Sequence, residues 1–331
     1  MPSEQQLDRR RFVVTAAASG VGLGLAAAEL VPRHALMRDR RPARSRVAIL
    51  TADRYSDALE QLLYDGLKLF NLCLKGKTVL LKPNLVEYSA DAAINTHPAL
   101  VGAAAVAFLR LGAASVTVAE GSGHQRDTFL LLVESGLGDQ LRRRGVRFVD
   151  LNRDDVLKCR VRGRYTDLDH LWLPRTVLSS DLVVSMPKIK THHWADVTLS
   201  MKNMFGVIPG SCYGWPKNVL HWKGIHESIL DICATVPIHF VIADGIVAME
   251  GNGPLHGRSR LLNTVVLADD AVAADFTCAR LMGLNPIAVP HLREASYFLG
   301  NGSLRRIQQL AAPLPRVFVP DRKSTRLNSS H

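Results

Sequence analysis

The chain has 331 residues, 41 Lys and Arg against 30 Asp and Glu, a formal charge of +11 and 6% aromatic residues. That length supports one large α/β domain or two smaller ones, with a core that needs no disulfide staples. Sparse aromatics without a repeated basic–aromatic pattern argue against a nucleic-acid partner.

The chain begins with Arg9-Arg10-Arg11-Phe12-Val13-Val14, the pattern of a twin-arginine export signal. An uncharged Ala/Gly/Val-rich segment follows over 13–28, with a small-residue cleavage site at Ala26-Ala27-Ala28. The expected partner is the twin-arginine translocase. The expected location is periplasmic or otherwise extracytoplasmic, with residues 1–28 either cleaved or kept as an anchor; an ordinary amphipathic helix is the alternative. Residues 29–46, including the Pro- and Arg-rich stretch 33–46, read as a linker suited to peripheral contact with anionic lipid headgroups.

From residue 47 to 320 a strand–helix alternation predicts an α/β fold, a mainly parallel sheet with helices on both faces. Strands are expected at 46–50, 78–81, 115–119, 146–149, 182–184, 239–243 and 264–268. Helices are expected at 56–72, 98–111, 127–144 with a break near Gly136, 225–234 and 271–282. The stretch 151–176 shows no clear period and reads as an insertion or small lobe. Residues 321–331 lack apolar periodicity and read as a non-native tail, with a genuine polar tail as the alternative. The five cysteines, Cys73, Cys159, Cys212, Cys233 and Cys278, show no C-x-x-C spacing and no iron–sulfur cluster motif. Of these, Cys212 in its Gly-rich loop is the one worth testing as a reactive thiol.

Ligands of open parallel sheets bind beyond the carboxyl ends of the strands. Polar groups stand at those places here: Lys82 and Asn84; Glu120 before Gly-Ser-Gly-His; Lys188, Lys190 and His192; Asp244 with Glu250 beyond it; and Asp269-Asp270. Any one such loop is polar in most proteins, but five together predict a shared rim. In an extended segment Lys188, Lys190 and His192 share one side about 7 Å apart, which suits a small anionic ligand. His193 would then point the opposite way from His192. If the following segment is helical, Thr198 and Lys202 share a face. A divalent metal held by His192, His226 and Glu250, with Glu120 or Asp244 nearby, is a further expectation, although no compact signature such as H-E-x-x-H occurs. His221 is a candidate ligand farther on. The glycine loops match neither common phosphate-loop spacing, and there is no G-x-S-x-G elbow.

The segments LLKPNLV (80–86), NTHPALV (95–101), VAEGSG (118–123), SMPKIKTH (185–192), SMKNMFG (200–206), ADGIVAMEGNGP (243–254) and DDAVAADFTCARLMG (269–283) occur in order. Together they resemble the domain of unknown function 362 family over roughly 47–299. The resemblance implies an α/β domain and draws attention to Lys82, Asn84, His97, Glu120, Lys188, Lys190, His192, Lys202, Asn203, Asp244, Glu250 and Asp275. It implies no reaction. The iron–sulfur module of many relatives is not matched in this chain. A looser likeness, in arrangement alone, is to lactate-racemase-type proteins that hold a nickel pincer cofactor through Lys and His.

The resulting expectation is an exported enzyme acting on a small anionic substrate with metal or cofactor assistance. Lys188, Lys190, His192, Glu120 and Asp244 are the expected catalytic groups, and Lys82, Asn84, Lys202 and Asn203 the substrate-binding ones. The alternatives are a non-catalytic periplasmic ligand- or cofactor-binding protein and, less favoured, an electron-transfer partner.

Overall fold

The computed structural model describes residues 32–90, 92–123 and 127–311. The expected signal and tail lie outside the described residues, as does His124. The elements run β1 (Ser45–Thr51), α1 (Ala58–Lys68), β2 (Thr78–Pro83), α2 (Pro98–Arg110), β3 (Ser115–Glu120), α3 (Thr128–Glu134), α4 (Leu137–Arg143) and β4 (Arg147–Asp150). They continue as β5 (Val156–Arg160), β6 (His170–Pro174), α5 (Arg175–Leu178), β7 (Leu182–Met186), β8 (Lys188–His192), β9 (Asp196–Thr198), α6 (Ser200–Asn203), α7 (Gly210–Tyr213) and α8 (Asn218–Trp222). The last are α9 (Ile225–Thr235), β10 (Phe240–Asn252), β11 (His256–Ala268), α10 (Ala271–Leu281), α11 (Pro290–Phe298) and β12 (Ile307–Ala311).

The main sheet has the order β12-β1-β11-β10-β7-β2-β3-β4, with β8 and β9 attached beside β10. Its core strands are apolar on both faces, as a sheet covered on both sides requires. On one face Leu81, Val118, Val184 and Leu267 pack under α1, α2, α3 and α4. On the other, Leu80, Val183, Val241 and Val266 pack under α6, α9, α10 and α11. The expected α/β architecture is therefore present, and its pairs are mostly parallel.

Strand β11 departs from expectation. It pairs antiparallel with both β1 and β10, so residues 264–268 run backwards relative to their neighbours. Strand β10, expected to end at Ala243, continues to Asn252 and returns through β11 as a long hairpin. Its near half pairs with β7 and its far half with β8, through Asp244↔Lys188 and Met249↔Lys190. A register shift against β11 falls between Gly245 and Val247, just after the pairing with β8 begins.

The stretch 151–176 is a two-stranded hairpin, β5–β6. Leu171, Leu173 and Tyr165 join the main core, and Asp231 of α9 accepts the amides of Tyr165 and Thr166. It is thus an appendage on the same core rather than a lobe with its own. Residues 33–46, expected as a linker, lie against the body: Arg33 donates to Tyr165 O, Arg40 to Ala234 O, and His34 meets Glu294.

Candidate functional site

Beyond the carboxyl ends of β2, β3 and β8 lies a pocket of about 210 Å³, lined by Lys82, Asn84, Glu120, Lys190, Lys202 and Lys217 among others. Strand β2 carries Lys82 to the rim in extended backbone, which the following Pro83 favours. Buried Lys82 gives its Nζ protons to Glu120 Oε2 at 2.5 Å, to Asn203 Oδ1 at 3.0 Å and to Pro83 O at 3.0 Å. Glu120 also accepts from Leu85 N and Gly121 N, so both its oxygens are engaged. Asn203 is spent inwards, donating to Lys82 O and Ser185 Oγ. Gly206 must be glycine: a Cβ there would collide with Glu120 Oε1 and Lys82 Nζ.

The other amines come from elsewhere in the fold. Lys190, fully buried on β8, donates to Ile94 O at 2.6 Å and Pro254 O at 3.4 Å. Lys217, just before α8, donates to Gly121 O at 2.8 Å, Phe205 O at 3.2 Å and Gly206 O at 3.5 Å. Lys202 differs from these three. Its Nζ lies 4.7 Å from the centre of the Phe205 ring and, among the described residues, has no hydrogen-bonding or ionic partner. Glu120 is the one carboxylate among the described lining residues. Desolvation, reinforced by Lys82, lowers the Lys202 pKa to about 8. Desolvation also brings that of Lys217 to about 7 and pushes that of Lys190 well below the usual lysine range.

Lys202 is held in place by a carboxylate on another helix. Asp275 of α10 accepts Ser200 N at 2.7 Å, Ser200 Oγ at 2.6 Å and Met201 N at 2.9 Å. It caps the start of α6 from outside, supplying acceptors for amides that a helix of four residues cannot satisfy itself.

Three histidines line the pocket, and their hydrogen bonds fix what each can do. His192 Nδ1 accepts from Trp194 N at 3.1 Å and Ala195 N at 3.3 Å. The proton of the neutral ring therefore sits on Nε2, and a second proton has no place on Nδ1. Burial and then the charge of Lys202 hold its pKa far below the usual imidazole range. His192 is a neutral hydrogen-bond donor, neither a base nor a metal ligand. His221 and His193 are of the opposite kind, donating from Nδ1 to Lys217 O and Gly253 O, which leaves an Nε2 lone pair on each. His192 and His193 do not point apart as expected. Strand β8 ends at His192, and the two rings stack with centroids 5.1 Å apart.

Two buried polar atoms in the wall have no partner among the described residues: Asn84 Oδ1 and Thr198 Oγ1. Orphaned polar atoms cost about 1–3 kcal/mol each, and both residues line the pocket.

Other expected site residues lie apart from the pocket. Lys188 and Asp244 form an ion pair at 2.7 Å. Tyr55 OH joins both of them, and Asp244 also accepts His97 N. Every group there is satisfied, which suits a structural clamp between β8, β10 and the start of α2. His226 sits against His291 at 2.9 Å and lines a different cleft. Glu250 lies on the hairpin, 3.9 Å from Arg260. The expected metal set of His192, His226 and Glu250 is thus not brought together, and no group of three His, Cys, Asp or Glu placed to hold a metal occurs among the described residues. Asp269 and Asp270, expected on the shared rim, bind Arg46 and Ser45 at the opposite end of the sheet, because β11 is reversed. Cys212 is exposed and lies outside the pocket lining.

Sequence reading did not single out Lys217, Trp194 or Gly206 individually. Lys217 carried the best available signal, a lysine amid Trp, Pro, Val and Leu (GWPKNVL).

The family model described as "Domain of unknown function (DUF362)" matches residues 79–280. A thylakoid-associated protein of Synechocystis sp. is 33% identical over 138 residues, which cover 39% of this chain and 42% of the relative. The matched region thus spans less than half the length of that curated relative. Among solved structures, the lactate racemase apoprotein of Thermoanaerobacterium thermosaccharolyticum is similar at 13% identity and a TM-score of 0.47, over 77% of this chain and 59% of that one. A Thermotoga maritima protein is similar at 14% identity and a TM-score of 0.37, over 64% and 55% of the respective chains.

Proposed function

The chain belongs to the domain of unknown function 362 family, and from that premise we propose that it is an enzyme whose lysine pocket binds and transforms a small organic anion. One observation carries this reading: four buried or half-buried amines, Lys82, Lys190, Lys202 and Lys217, surround a single carboxylate, Glu120. With all amines protonated the site is strongly positive, and an anion would relieve that charge. Lys202, the amine without an acceptor among the described residues, is the first contact. Asn84 and Thr198 supply hydrogen bonds, and His192 an Nε2–H donor. Lys82, Glu120 and Asn203 form the fixed floor. His221, neutral with an uncommitted Nε2, is suited to move a proton.

The Arg9-Arg10-Arg11-Phe12 pattern supports export as the setting for this activity. The decisive measurement is calorimetric titration with a panel of small carboxylates and phosphates, followed by turnover assays on the binders. Replacing Lys202 by Met removes a charge-assisted contact worth about 1.5–3 kcal/mol. Affinity should fall roughly 10- to 100-fold while the melting temperature holds or rises. Unchanged affinity in Lys202→Met would refute the assignment. Binding without turnover of any ligand would make the protein a carrier.

A further inference from the structure

The pocket treats its amines unequally. A lysine that serves only as a positive charge is best held by oxygen acceptors, and Lys82, Lys190 and Lys217 are each held by two or three of them. Lys202 has none. Its ammonium rests over the Phe205 ring and is repelled by Lys82. Nothing in the wall would be left unpaired if Lys202 gave up its proton. Deprotonating Lys82 or Lys217, each with three acceptors, would break an existing bond, and a neutral Lys190 would keep both its protons committed to carbonyls.

Resting on the small-anion reading above, we propose that the Lys202 amine condenses with the carbonyl carbon of a small 2-oxo acid, so that this pocket holds its substrate as an imine. The neutral amine attacks the carbonyl carbon, forming a C–N bond as the carbonyl π pair moves to oxygen. Both amine protons pass to that oxygen, which departs as water and leaves C=N. No oxidant or reductant takes part. His221, through Nε2, is the group suited to relay the protons, since its Nδ1–H is already given to Lys217 O.

The rest of the wall suits such a substrate. With Lys202 neutral, the substrate carboxylate itself draws protons back to Lys190 and Lys217, because a bound anion raises the pKa values that burial has lowered. Thr198 Oγ1, otherwise without a partner, can donate to the carbinolamine oxygen or to the carboxylate. The imine nitrogen, once protonated, is an electron sink beside Glu120 and the uncommitted imidazoles, which defines the reaction class as bond-making or bond-breaking at the carbon next to the imine.

Neutral amine is the reactive species. With a pKa of about 8 for Lys202, its neutral fraction at pH 7 exceeds that of an ordinary surface lysine roughly 200- to 300-fold. The experiment is incubation with glyoxylate, pyruvate and 2-oxoglutarate in the presence of sodium cyanoborohydride, followed by peptide mass mapping. We expect the reduced adduct of at least one of the three on Lys202, on the order of tenfold above that on exposed Lys68 and Lys158. Its yield should rise with pH through about 8. Lys202→Arg and Lys202→Met should both lose it without a fall in melting temperature. Labelling spread evenly over surface lysines, or retained elsewhere in the pocket by both variants, overturns the imine. Calorimetry with lactate and pyruvate separates the two levels of inference. If both bind and neither pyruvate nor the other oxo acids form an adduct, the imine falls and the anion site stands. If no carboxylate or phosphate in the panel binds and no adduct forms, both fall.

Discussion

At the scale of single residues, neighbours decide what a lysine or histidine can do. Lys188 and Lys190 stand two apart on β8, yet one is closed in a clamp with Asp244 and Tyr55 while the other lines the pocket. The sequence pattern distinguished neither, because alternation gives the side of a strand and not the partner waiting there. Lys202 and Asn84 were legible as polar residues in an apolar setting. Lys217 was not, since it lies in an irregular stretch without a period. Asp275 was implied by the resemblance alone; within an apolar helix nothing marked it as the cap of α6. Burial raises its pKa to about 7, against the three hydrogen bonds it accepts. Asp275→Asn should place an NH2 group against a donor, costing about 1–3 kcal/mol of stability. It should also weaken anion binding, because Lys202 loses its fixed helix. Chemical denaturation and calorimetry on the same variant check both effects; full affinity in a destabilised variant would limit Asp275 to folding.

At the scale of elements, most of the alternation was readable. Expected and observed bounds of α2, α9 and α10 agree to within a residue, because Pro98 and the apolar period mark them directly. Direction was not readable for β11. Thr264, Val265, Val266, Leu267 and Ala268 are all buried, so the pattern is the same read either way. The reversal explains why four of the expected polar positions share the rim region or the clamp behind it, while Asp269-Asp270 lies at the far end. The hairpin itself was hidden by composition. Glycines at 245, 251 and 253 read as a loop, whereas the backbone pairing through Gly245 and Gly251 continues the strand.

At the scale of the whole molecule, a surplus of buried amines makes stability depend on pH with a defined sign. The folded pKa values of Lys202 and Lys217, about 8 and about 7, lie below their value in the unfolded chain, so the folded state binds fewer protons above pH 7. Stability must therefore rise as pH increases from 7 towards 10. The gain expected between pH 7 and 9 is about 3–4 kcal/mol for the ligand-free protein. Asp275, raised in the folded state, acts in the opposite direction but only below about 7. Denaturation midpoints across that range test this; a flat profile would mean that the amines are solvated. An anion would restore protons to the amines. Calorimetry near pH 8 in buffers of different ionisation enthalpy should accordingly show proton uptake on binding.

The β10–β11 hairpin has a mechanical meaning. Its root is locked in the sheet, while its tip supplies Pro254 and Leu255 to the pocket and Gly253 O to His193. It is a cantilever, clamped at one end and loaded at the other. The irregularity after Gly245 is where such a beam is weakest. Amide exchange should be slow in 240–245, faster in 247–252 and 256–261, and slowed in the outer part alone when a ligand fills the pocket. Passage in and out of this site would then be governed by the stiffness of a strand pair, and a change at its root, far from the lysines, would alter ligand residence time without touching the chemistry.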